Sequence, residues 1–151
     1  MANRFPTSSP YVLEEVSFHT SGASAGSEVD VIVYEDVDGR ADRPDGCREV
    51  WRKRVTMGAG GYQNVPAGGL TLNGGGARDG AFWVAVAERG DSTGLSLGID
   101  LTGPAAGDSY HSTNGGADFS PLSTVPVLDG VAMIRAGGRA AAGCFIKAAT
   151  R

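Results

Sequence analysis

The chain has 151 residues, 41% of them hydrophobic and 20% charged, with 24 glycines that follow no triplet period. That is enough apolar sequence for one packed domain, and it excludes collagen-like, low-complexity and disordered readings. The net charge of -4 argues against a nucleic-acid binder that works by neutralising phosphates, and no stretch approaches the roughly 20 apolar residues of a membrane helix.

Strand patterns then follow one another along the chain, with almost no helical period. The opening Met-Ala-Asn-Arg-Phe-Pro lacks the apolar stretch of a signal peptide, so the chain reads as a soluble form with no membrane insertion. Tyr11 to Thr20 is the first expected strand. Glu28 to Glu35 sets Val29, Val31 and Val33 on one side and Asp30, Ile32 and Tyr34 on the other. Glu49 to Met57 and Leu70 to Asn73 come next. In Ala81 to Glu88, Phe82, Val84 and Val86 oppose Trp83, Ala85 and Ala87, so this strand and Glu28 to Glu35 look buried on both faces and central. Leu95, Leu97, Ile99 and Leu101 alternate strictly with small and polar residues. Ser109 to Thr113, Phe119 to Ser123 and Val131 to Ala136 complete the series.

Turn formers such as Asp45-Gly46, Asn114-Gly115-Gly116 and Asp129-Gly130 separate these runs. Short strands at this spacing predict an all-β fold, an antiparallel sandwich of two packed sheets with about eight or nine strands. The sandwich is expected over residues 1–136, with residues 137–151 as a basic C-terminal tail. Met133 and Ile134 join the alternating valines and leucines as expected core.

Charge is unevenly distributed. Residues after Asp129 carry four bases and no acid, which leaves nine bases and seventeen acids before them, a net of -8. Phe145 and Ile146 in the tail need burial, either on this body or on a neighbouring copy, and the second alternative points to a homo-oligomer or filament. Cys47 and Cys144 fit a single disulfide or two buried thiols, and a bridge would tie the tail to the body.

Several stretches, read in order, resemble a known kind of module: Val29 to Gly39; Phe82-Trp83-Val84-Ala85-Val86; Ser109-Tyr110-His111-Ser112-Thr113-Asn114-Gly115-Gly116 with Phe119 and Pro121-Leu122; and Asp129-Gly130 through Met133-Ile134-Arg135-Ala136. Together they resemble the jelly-roll accessory β-sandwich modules of large secreted bacterial proteins, including exported proteases and cell-surface proteins. The resemblance makes the expected sandwich jelly-roll-like and implies an extracellular or cell-surface module without catalysis of its own, serving adhesion, stability or attachment. Two departures stand out. Phe119 takes the place where such modules often have Trp, and the chain extends beyond Ala136.

For catalysis the candidates are His19 and His111 with Asp108, Ser109 and Ser112. Adjacent residues of a strand point to opposite faces, so His111 and Ser112 are expected to diverge, and both histidines read as structural or surface residues. No catalytic residue is assigned. The acidic stretch Glu35-Asp36-Val37-Asp38-Gly39 with Asp42 and Asp45 departs from the EF-hand pattern. It reads first as a solvated hairpin loop and second as an irregular structural calcium site with Asp36, Asp38 and Asp42 as ligands; no other cofactor is expected. Arg48 to Arg54 mixes bases with Trp51, but Arg52 and Arg54 would share one strand face and Trp51 and Lys53 the other, as in an exposed, charge-protected strand. Trp51 and Tyr62 are the aromatics expected to be exposed, and they are the candidates for stacking on a surface glycan. The expected function is a non-catalytic extracellular module for adhesion or assembly, self-associating through its tail, with a carbohydrate-binding accessory module as the alternative.

Overall fold

The computed structural model describes residues 1–7, 10–22, 25–36, 43–72, 81–88, 97–100, 109–125 and 131–141. Strands follow in chain order: β1 (Ala2–Pro6), β2 (Tyr11–Thr20), β3 (Glu28–Glu35), β4 (Arg48–Thr56), β5 (Gly61–Leu72), β6 (Ala81–Glu88), β7 (Ile99–Asp100), β8 (Ser109–His111), β9 (Ser120–Pro121), β10 (Val131–Ala132) and β11 (Ile134–Ala140). The larger sheet has the order β4-β3-β6-β1-β8-β9 and the smaller one β11-β2-β5, while β10 pairs with β7. Every ladder is antiparallel. Backbone bonds join the β7–β10 pair to the end of the smaller sheet: the Gly98 N–H donates to the His19 carbonyl at 2.8 Å, and the His19 N–H donates to the Met133 carbonyl at 3.0 Å.

The fold is the all-β sandwich that the alternation predicts. Val29, Val31 and Val33 of β3 and Phe82, Val84 and Val86 of β6 turn inward from the larger sheet. They meet Leu13, Val16 and Phe18 of β2, Val65 and Leu72 of β5, and Ile134 of β11. Both β3 and β6 are interior strands, which is why they carry apolar residues on their outer faces as well. A second apolar cluster of Ile32, Trp83, Ala85, Tyr110 and Phe119 therefore lies on the far side of the larger sheet. Leu97 is buried and bridges Thr20, as the alternating run requires, whereas Leu95 and Leu101 of that run lie outside the described residues.

Eleven strands are described where about eight or nine were expected, and the expected strand Val131 to Ala136 is split into β10 and β11 at Met133, which is half-buried rather than part of the buried core. Three further departures bear on the fold. The strand at Leu70 begins nine residues earlier, at Gly61, because Gly68 and Gly69, both at positive φ, interrupt the alternation without ending the ladder with β2. The N-terminal residues form β1 and enter the larger sheet between β6 and β8, although the polar Asn3 and Arg4 conceal them. The third departure moves the expected boundary at residue 136, which falls inside β11. Gly137 pairs with Glu15 and Arg139 with Val12, and Arg139 Nε lies 3.0 Å from the Glu14 carboxylate. Glycines hide this continuation in the sequence, yet a side chain at Gly138 would strike the Val12 carbonyl and the Tyr11 ring, so the close approach of the two strands requires glycine there.

One polar side chain crosses the interior. Asn3 on β1 donates through Nδ2 to the carbonyls of Ala132 at 2.7 Å and Ile134 at 3.1 Å. Its Oδ1 accepts from the Ser109 hydroxyl at 2.8 Å, and that hydroxyl in turn accepts from the Ala132 N–H at 3.2 Å. Asn3 and Ser109 are both buried, so truncation would leave the Ser109 hydroxyl and two carbonyls short of partners inside the protein. Asn3→Ala is expected to lower unfolding stability by about 2–3 kcal/mol, read as a lower urea midpoint at unchanged slope; a midpoint within error of the parent would refute this role.

Candidate functional site

The outer face of the larger sheet is divided by residue type. Towards its β4 edge it is charged. Arg52 Nη1 approaches Asp30 Oδ2 at 2.9 Å, Arg54 Nε approaches Asp30 Oδ1 at 3.3 Å, and Arg52 grips Glu49 with two bonds of 2.9 and 2.7 Å. Arg52 and Arg54 thus share a face, as the strand period predicts, while Lys53 turns the other way and donates to the Pro66 carbonyl at 3.4 Å. Burial raises the Asp30 pKa, but hydrogen bonds from Arg52 and Arg54 outweigh it and hold the group below its ordinary value. The Glu49 carboxyl is lowered, chiefly by its bonds to Arg52.

Towards the centre the same face is apolar and its side chains are small. On β6 the outward residues are Ala81, Trp83, Ala85 and Ala87, so beyond Trp83 the floor has little to fill it. A loop arches over this floor from β8 to β9. Its shape follows from Ser112, whose hydroxyl accepts from the Gly116 N–H at 2.9 Å and donates to Asn114 Oδ1 at 2.9 Å. Asn114 also donates through Nδ2 to the Asp118 carboxylate at 2.8 Å and accepts from the Asp118 N–H at 3.0 Å. Gly115 and Gly116 turn the chain at φ of 75° and 91°, a region that disfavours side chains. The arch ends on Phe119, which meets Tyr34 of β3 edge-on with ring centroids 6.4 Å apart.

Between arch and sheet lies a groove of about 550 Å³. Ile32, Ala85 and Ala87 on the outer face of the sheet line it on one side and Tyr34, Gly116 and Phe119 on another, and Met1, Glu88, His111 and Ser112 line it as well. Burial, and then the Glu49 carboxylate, push the Tyr34 hydroxyl above its ordinary pKa, so it stays protonated at neutral pH. The volume falls within the range usual for ligand pockets, and the lining mixes apolar and polar groups.

Most of the residues singled out from the sequence are dispersed, but His111 and Ser112, which the strand period was expected to separate, both line the groove, because β8 ends at His111 and Ser112 already belongs to the turn that follows. Trp51 and Tyr62 form no common platform: Trp51 lies opposite Val33 and packs half-buried against the inner core, whereas Tyr62 faces outward from the smaller sheet, 39% exposed. The Trp51 expectation is corrected because inward positions on β4 meet the core even though β4 is an edge strand. One face of the Tyr62 ring is taken by the Arg135 guanidinium, 4.3 Å from the centroid, and the His19 ring meets it edge-on at 5.3 Å. Of the calcium candidates, Asp36 is buried at the end of β3 and its N–H donates to the Ala81 carbonyl at 3.4 Å, while Asp38 and Asp42 lie outside the described residues. Among the described residues no three metal-ligating side chains converge.

The hydroxyls of Ser109 and Ser112 serve the interior tie and the arch, respectively, and Asp108 lies outside the described residues. Cys47 is half-buried, with its Sγ 3.6 Å from the Arg43 carbonyl, and Cys144, Phe145 and Ile146 lie outside the described residues. The groove itself was not singled out by sequence reasoning. Its one local signal is the run of alanines on the outward side of a strand otherwise marked as central. Compared with protein-family models, curated proteins and solved structures, the chain finds no match.

The Asp30 pairing makes stability depend on pH. Its folded pKa lies below the ordinary 3.8, so its contribution is complete above that value and is lost as pH falls through the folded value. Urea midpoints of the parent are expected to drop on acidification between about pH 5 and 2, and Asp30→Asn is expected to flatten this acid limb. An unchanged limb in the variant would refute the assignment.

Proposed function

We propose that the chain is a non-catalytic β-sandwich module for adhesion or assembly outside the cell, and that it meets its partner at the groove on the outer face of the larger sheet. The observation that carries this reading is the groove itself. Its floor is apolar, its wall aromatic, and the hydroxyl nearest to His111 in sequence is committed to three hydrogen bonds that shape the arch. A hydroxyl so engaged is a poor nucleophile, because attack would dismantle the loop that holds it. The order of sequence stretches resembling secreted accessory modules supports the extracellular setting.

Carbohydrate binding through stacked aromatics is less well supported. Trp51 faces inward, and Arg135 occupies one face of Tyr62. A sugar ring stacking on that face would have to displace the guanidinium.

Ala87 is only partly buried on the groove floor, so Ala87→Leu fills the groove with little demand on the core. The variant is expected to fold as the parent does and to lose binding that the parent shows in either of two assays: retention on insoluble cellulose, chitin or peptidoglycan, and self-association followed by light scattering. Nitrophenyl esters, nitrophenyl glycosides and casein are expected to remain intact in the presence of either chain. Turnover of one of them that His111→Ala abolishes, or binding indifferent to Ala87→Leu, would overturn the reading.

A further inference from the structure

An occupant with an apolar head and, beside it, positive charge would complement the apolar lining of the groove and its exposed Glu88, a carboxylate that also faces the Met1 ammonium. The chain itself contains such a segment. Residues 142–151 read Ala-Gly-Cys-Phe-Ile-Lys-Ala-Ala-Thr-Arg, with Phe145 and Ile146 followed by Lys147 and Arg151 and no acid. The body before residue 130 is net -8. We propose that Phe145 and Ile146 of one copy occupy the groove of a second copy, with Lys147 beside Glu88, so that copies join head to tail. This rests on the groove being the interaction surface and names what fills it.

Chain geometry decides between the molecule's own groove and a neighbour's. The last described residues leave the sandwich at one end: Ala140 pairs with Tyr11, whose ring stacks on Phe82 with centroids 5.5 Å apart, and the Ala141 N–H donates to the Pro10 carbonyl at 2.7 Å. This is the Ala81 end of β6. The groove is lined from Ala85 to Glu88, towards the other end, and it opens on the face turned away from the smaller sheet.

To reach its own groove the tail would have to pass from one layer to the other, about 10 Å, and then run along the outer face from Ala81 to Ala87, about 20 Å more. Phe145 lies four residues beyond Ala141, and fully extended those four steps span at most about 14 Å. The neighbour's groove has no such limit. A contact between two different surfaces of the same chain does not close on itself in a pair, so it propagates into a ring or a filament. Attraction between a basic segment and an acidic body weakens as salt rises.

The test uses the full chain and two variants, Ala87→Leu to fill the groove and Phe145→Asp to remove the apolar head. Light scattering at low ionic strength is expected to show concentration-dependent assembly of the parent, reversed by added salt. Each variant alone is expected to be monomeric, with a circular dichroism spectrum and melting temperature close to the parent's. Mixed in equal amounts they are expected to form a two-copy complex that grows no further, because the intact tail of the A87L chain meets the intact groove of the F145D chain. A strictly monomeric parent, a mixture that stays monomeric, or assembly unaffected by either substitution would overturn the proposal. Retention on an insoluble glycan that Ala87→Leu abolishes, in a parent that never assembles, would overturn the tail as occupant while leaving the groove as the binding surface. If neither retention nor assembly responds to Ala87→Leu, both readings fail.

Discussion

The amide of Asn3 ties the two layers together at the point on which the rest of the molecule depends. It reaches from a strand inside the larger sheet to the carbonyls on either side of Met133, where the chain passes from β10 into β11. Because the group is buried, its donors and acceptor must be matched within the protein, and the match admits one register of β1 against β6 and β8. Apolar contacts between the sheets supply most of the driving force but tolerate sliding. A buried amide with three fixed partners does not. By fixing β8, this tie also fixes where the arch between β8 and β9 springs from, and so where the groove lies.

The outer face of the larger sheet shows how one surface can be protected at its rim and open at its centre. Among the described residues no strand pairs with the outer edge of β4, and arginines and carboxylates beside it make the approach of another strand unfavourable. These pairs are largely solvent-exposed on the arginine side, so their contribution to stability is small apart from the buried Asp30 carboxylate. Farther in, small alanines avoid clashing with the arch but leave it standing off the sheet. A larger residue at Ala85 or Ala87 would fill that space with protein. The groove is therefore a consequence of side-chain size on β6 combined with hydrogen bonding in a loop distant in sequence.

The arch is held in shape largely by its own side chains. The polar side chains around the arch spend their hydrogen-bonding capacity on its shape, with Ser112, Asn114 and Asp118 bonded to one another and to the backbone. The groove itself combines apolar surface from Ile32, Ala85 and Phe119 with the Glu88 carboxylate, the His111 ring and the protonated Tyr34 hydroxyl.

Alternation of apolar residues over Tyr11 to Thr20, Glu28 to Glu35 and Ala81 to Glu88 was sufficient to recognise an antiparallel sandwich, to place these three strands at their observed bounds, and to mark β3 and β6 as central. That much is local, because burial of one or both faces of a strand is written at a period of two. Strands rich in glycine or polar residues, β1 and the continuation of β11, left no such mark, since their fit depends on the neighbour they pair with. The destinations of Trp51 and Tyr62 were equally hidden: alternation says that two residues differ in face but not which face meets the core. The groove was the least legible feature. It exists only because Ala85 and Ala87, Tyr34, and the loop from Ser112 to Phe119 meet across three strands, and long-range pairing in the folded sheet alone brings them together.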